Sequence, residues 1–185
     1  MRRIDAGLDP RVGSVASVFV SRWDVTVADK VPEKLRDQLG IAIAKRTYKA
    51  ASAMLSSARW QRVYNRGGRP QRLLWASTGS KDPKASDILY VKALAAPFTV
   101  NTMPEATLKA LATHTELGEL PSVDGGNCEE VLAEFGKAGI EVGALATQLQ
   151  TEGAESFVKS WNDLMAVISS KSASLNKSAT LKAVS

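Results

Sequence analysis

With one cysteine and one histidine in 185 residues, the chain has few of the side chains that usually bind transition metals or carry nucleophilic catalysis. Cys128 cannot form an internal disulfide, and a reducing compartment is the natural inference. It reads as a small residue on a helix, because the lone imidazole, His114, follows a different helix. No metal-ligand cluster and no Ser-His-Asp set can be assembled. The glycine pairs 67-68 and 125-126 lack the context of a phosphate loop. Apolar runs fall well short of the roughly 20 residues that cross a membrane. The first ten residues, MRRIDAGLDP, show no apolar segment after the arginines, unlike a secretory leader. What remains is a soluble globular chain, expected in the cytoplasm and without a cofactor.

A hydrophobic content of 44% with 23% charged residues supplies enough apolar mass for one substantial core. The net charge of +5 is unevenly placed. Residues 1–100 carry +10, residues 101–168 carry −8, and the Ser/Lys-rich end adds +3. Within residues 33–72 basic side chains outnumber acidic ones ten to two. That stretch lacks the interleaved aromatics or repeat spacing of a recognition module, so it reads as a solvated helix face and nucleic acid is not an expected partner.

Three apolar segments read as strands: Val12 to Val20, Leu73 to Ser77 and Phe98 to Asn101. Long helical excursions separate them, which forbids hairpins and predicts parallel neighbours in chain order. In the second strand, alternation puts Leu73, Trp75 and Ser77 on one face and Leu74, Ala76 and Thr78 on the other. Both faces are largely apolar, which suits a strand in a parallel sheet covered by helices. The turn that follows, Ser77 to Pro83, is rich in hydroxyls and contains Gly79 and Lys81. It suits an oxyanion or phosphate site, although loops favour these residues in any case.

Arg22 leaves the first strand and has two readings of its own: a surface ion pair with Asp24 or Asp29, or a bidentate phosphate contact at a strand mouth. A helix is predicted from Pro32 and Glu33 to about Ser56, weakened at Gly40. Another, carrying Trp60, Val63 and Tyr64, ends at Gly67-Gly68. Thr102 and Glu105 have the spacing of a capping box, with Pro104 in the first turn. Asn127 is placed to cap a helix bearing Val131, Leu132 and Phe135. A helix from Ile140 ends near Gln150, and a last one sets Phe157, Trp161 and Leu164 at core-face spacing. Residues 169–185 are predicted to be a flexible or weakly helical tail.

RLLWASTGSKDPKASDILYV (72–91) resembles the signature of the transaldolases, in the bacterial and plant-type subfamily. SVASVFVSRWD (14–24) and APFTVNTMPEATL (96–108) are similar to further motifs of that family in the same order, and EGAESFVKSWNDLM (152–165) resembles its closing helix. The resemblance implies an α/β fold, specifically the last three strands of a (β/α)8 TIM barrel with their helices, plus C-terminal helices, over residues 1–168. It implies Schiff-base transfer of a dihydroxyacetone unit from a ketose phosphate to an aldose phosphate, within the pentose phosphate pathway. The lysine and acids for that chemistry belong to earlier strands of the barrel.

Carried over residue by residue, Ser17 matches a serine lining the barrel interior and Arg22 the arginine that holds the substrate phosphate. Ser77 and Lys81 complete the expected substrate-binding set. Lys81 is expected to touch phosphate, not to act as a nucleophile, because Asp82 favours its charged form. No catalytic residue is assigned and no cofactor is implied. Two departures stand out: Lys81 to Asp87 reads KDPKASD where the family usually has KNPAYSD, and Phe98 replaces an aspartate. The isolated chain is expected to be inactive, needing a missing N-terminal segment or a protein partner to complete the barrel. The alternative is a transaldolase-derived structural or binding subunit of a larger assembly. A cytoplasmic location is implied, or the plastid stroma. Three strands alone would leave two open edges and an open inner face, expected to hold Phe19 and Trp75.

Overall fold

A computed structural model describes residues 1–114 and 118–183. Three strands, β1 (Val15–Phe19), β2 (Arg72–Ala76) and β3 (Thr99–Asn101), form one parallel sheet in the order β1-β2-β3. This is the adjacency that the long crossovers predict. Among the described residues eight α-helices accompany it: α1 (Arg2–Asp5), α2 (Ser21–Val27), α3 (Leu39–Ser56), α4 (Ala58–Tyr64), α5 (Leu89–Leu94), α6 (Glu105–Thr113), α7 (Cys128–Lys137) and α8 (Val142–Ala183). The chain divides into two compact units, Met1–Glu141 and Val142–Ser185.

Register decides which sheet face is buried. Val18 pairs with Trp75 and Ala16 with Leu73, and paired residues in parallel strands point to the same side. These four, with Val20, Ala44, Tyr48, Tyr90 and Leu94, make the core beneath α3 and α5. Trp75 is 1% exposed, and its indole N–H donates to the Leu94 carbonyl at 2.9 Å. The expectation that Trp75 shares an open face with Phe19 is therefore wrong. Period-2 alternation alone left open which face of β2 matched which face of β1. The other face, with Val15, Ser17 and Phe19, lies open; Phe19 is 37% exposed.

Three local expectations also change. The helix predicted from Pro32 is broken: a 3-10 turn at Glu33–Leu35 is followed by Asp37 at φ +57°, and α3 begins only at Leu39. Gly40 is no weak point, because a Cβ there would run into the Val20 carbonyl oxygen and stand 2.6 Å from Asp24 Oδ2. The Thr102–Glu105 capping box does not form. Pro104 is the N-cap of α6, and the Thr102 hydroxyl turns back to the Trp75 carbonyl at 3.4 Å. Asn127 precedes α7 without a side-chain cap bond. α7 packs on α3 through a helix face that buries Leu132 and Phe135, beside an Arg46–Glu129 ion pair.

α8 is one continuous helix where the sequence suggests two, and it extends through the Ser/Lys-rich residues to Ala183. Gly153 sits inside it and costs only about 1 kcal/mol relative to alanine, too little to stop a helix. Phe157, Trp161 and Leu164 are 63%, 61% and 50% exposed, so the expected core face is not buried. Helical spacing fixes which side is apolar and says nothing of what covers it. No described helix is long and apolar enough to cross a membrane.

Candidate functional site

The C-terminal ends of β1 and β2 are stitched together beyond the strands themselves. The Val20 amide donates to the Ala76 carbonyl at 2.9 Å and the Ser21 amide to the Ser77 carbonyl at 3.0 Å. The Ser21 and Ser77 hydroxyls share a hydrogen bond of 2.7 Å. Ser77 sits at φ +56°, a left-handed conformation that ends the strand and breaks its alternation. Next to it, buried Thr78 donates from its hydroxyl to Asn101 Oδ1 at 2.7 Å, tying the exit of β2 to β3. Gly79 then passes close to α6, where a Cβ would sit 3.2 Å from the Pro104 ring.

Arg22 lies in the first turn of α2, half-buried, with its guanidinium 4.4 Å from the centroid of the Phe19 ring. This stacking replaces the ion pair with Asp24 or Asp29 that the sequence left open. Ser17 lies two residues before Phe19 and faces the same open side of the sheet. Phe19 and Arg22 thus stack at the end of β1, Ser17 lies on the same open side in the middle of the strand, and Ser77 is bonded to Ser21 just past the strand's end. Lys81 is exposed in the loop after β2 and, among the described residues, makes no hydrogen bond or ion pair. Among the described residues the four candidates are not bonded to one another: Arg22 stacks on Phe19, Ser77 bonds to Ser21, Ser17 shares the Phe19 side of β1, and Lys81 follows in the loop after β2.

The residue that sequence reasoning passed over is Asp24. Its carboxylate is buried and accepts the Leu39 amide at 2.8 Å, the Gly40 amide at 3.2 Å and the Tyr90 hydroxyl at 2.9 Å. Burial pushes its pKa up to about 6, against the pull of those three donors; nearby Asp37 raises it further. Burial and the Asp24 charge raise the Tyr90 phenol in turn. Asp37 is raised by burial and by Asp82 beside it. The signal in the sequence was an acid two residues past Arg22, but nothing local announced that its partners lay 15 and 66 residues away. Among the described residues, no group of three or more His, Cys, Asp or Glu side chains is placed to hold a metal.

A parallel three-stranded sheet with helical crossovers, carrying an arginine, serines and a Gly/Ser loop at its C-terminal ends, defines an α/β protein. The family model for transaldolase/fructose-6-phosphate aldolase matches residues 3–168, and the chain belongs to that family. It is 41% identical over 164 residues to a transaldolase of Saccharopolyspora erythraea, covering 85% of this chain and 45% of that protein. A Parafrankia sp. transaldolase is 42% identical over 165 residues, with the same shares. The transaldolase of Thermobifida fusca is 41% identical over 162 residues, 83% of this chain and 44% of the relative. The chain thus spans a little under half the length of the curated relatives it matches.

Proposed function

We propose that this chain supplies the phosphate-binding side of a transaldolase-type site, as the last three β/α units of a (β/α)8 barrel. Arg22 holds the phosphate of a ketose or aldose phosphate, Ser17 lines the sugar channel, and Ser77 and Lys81 border it. The observation that carries the reading is the stack at the end of β1, where the Arg22 guanidinium rests on Phe19, on the same open side of the strand as Ser17. An arginine stacked on a ring keeps its donor edge free for two parallel bonds to phosphate oxygens. The Schiff-base lysine and the proton-transferring acids come from the half of the family's length that this chain does not span. That half also covers the open face holding Val15, Ser17 and Phe19 and pairs the free edges of β1 and β3.

The test is reconstitution. The chain is mixed with the N-terminal half of the Saccharopolyspora erythraea transaldolase, and dihydroxyacetone transfer from fructose 6-phosphate is followed. Activity is expected in the mixture and absent from either part. Borohydride trapping with fructose 6-phosphate should leave this chain unmodified by mass spectrometry. An adduct on Lys81 or any other lysine of this chain would sink the proposal.

The second reading, a non-catalytic transaldolase-derived subunit, is supported by one observation. Phe98 stands at φ +59° and is 76% exposed, where the family usually has an aspartate. A large exposed ring in a left-handed conformation suits a contact surface better than a sugar site. Failure of reconstitution with a folded mixture would favour it.

A further inference from the structure

We propose that Asp24 is a positioning residue for Arg22, an inference that rests on reading Arg22 as the phosphate contact. α2 has only seven residues, and a helix that short does not hold its own direction in water. Its entry is fixed by the backbone and hydroxyl bonds from Val20 and Ser21 to the end of β2. Within the helix the Thr26 hydroxyl bonds only to the Arg22 carbonyl, one turn back, which fixes nothing sideways. Val27 is buried on the inner side one turn on, and the polar lateral anchor is Asp24.

Two residues along an α-helix turn by about 200°, so Asp24 and Arg22 lie on nearly opposite sides of α2. Asp24 faces inward. It takes two amide donors at the start of α3, groups that no helix can satisfy internally, and the phenol of Tyr90 from α5. Gly40 permits the approach, since any Cβ there would displace the carboxylate or the Val20 carbonyl. With its inner side held by α3 and α5, α2 presents its outer side, and Arg22 with it, over Phe19. The charged and titratable groups around the carboxylate are Tyr90 on α5, Asp37 before α3, and Asp82 in the loop after β2. Removing the carboxylate would leave two amides and a phenol without their acceptor and free α2 to rotate.

The experiment uses the labelled full chain in solution. The Arg22 side-chain protons carry an upfield ring shift from Phe19, identified by its loss in Phe19→Leu. Asp24→Ala and Asp24→Asn are expected to lose most of that shift while the amide spectrum stays dispersed. Tyr90→Phe, which leaves both amide bonds intact, is expected to keep it. Persistence of the full ring shift in either folded Asp24 variant overturns the proposal. Should neither variant fold, the wild type decides through its pH titration. Arg22 side-chain protons moving with the Leu39 and Gly40 amides at one midpoint support it, and Arg22 protons flat across that midpoint overturn it. The phosphate reading fails separately, if Arg22→Ala leaves fructose 6-phosphate binding unaltered in the reconstituted enzyme.

Discussion

Burial holds the Asp24 carboxyl at about 6, above its usual 3.8, so the folded chain binds a proton there more readily than the unfolded chain does. This group's contribution to stability is therefore complete below its unfolded value and is lost as pH rises through about 6. A rise from 3.8 to about 6 is worth about 3 kcal/mol at the most. Asp37, raised by burial and by Asp82, acts in the same direction. Urea unfolding of the wild type, measured from pH 4 to 8 relative to Asp24→Asn, should show the wild type losing ground across that window. A constant difference would mean that the carboxyl titrates normally. At Arg22, substitution by alanine in the reconstituted enzyme should weaken sugar-phosphate binding by about 1.5–3 kcal/mol, read by calorimetry, as for other hydrogen bonds to charged groups. Arg22 and Ser17 could be picked out in the sequence because a recognisable motif carries them. Asp24 could not, since its meaning lies in amides and a phenol that only the folded chain brings near.

Gly40 separates what the chain's local chemistry says from what packing imposes. Helix propensity alone predicts that Gly40→Ala gains about 1 kcal/mol. The geometry predicts the reverse, because the new methyl would press into the Val20 carbonyl oxygen and lie 2.6 Å from Asp24. Overpacking of this kind costs about 1–3 kcal/mol, and a lowered melting temperature is the expected result. A higher one would show that α2 and α3 can move apart. The same division runs through the other elements. The order and parallel sense of β1, β2 and β3 could be read from the sequence because the connections are too long for hairpins. The side of β2 that faces inward could not, because both of its faces are apolar and only its register with β1 distinguishes them. The false start of α3 has the same origin: Asp37 in a left-handed turn is a tertiary decision, invisible in a run of good helix formers.

At the scale of the whole chain, the open sheet face exposes Val15 and Phe19, and Val12 and Phe98, next to the strands, are exposed as well; apolar side chains on an open face invite association. The chain alone should therefore self-associate as its concentration rises, and Val15→Lys should reduce this in sedimentation equilibrium. A monomer at all concentrations would show that water wets this face at little cost. The parallel pairing has a further consequence, in time. Val15 finds Arg72 as its partner, fifty-seven residues later, and a growing chain adds roughly 5–20 residues per second. On a ribosome, β1 would wait roughly 3–11 s for its neighbour, while α3, built from contacts a few residues apart, can form as it emerges. In that interval Val15, Val18 and Phe19 are an unpaired apolar strand. The seconds between the emergence of β1 and that of β2 are when this segment is most open to wrong association.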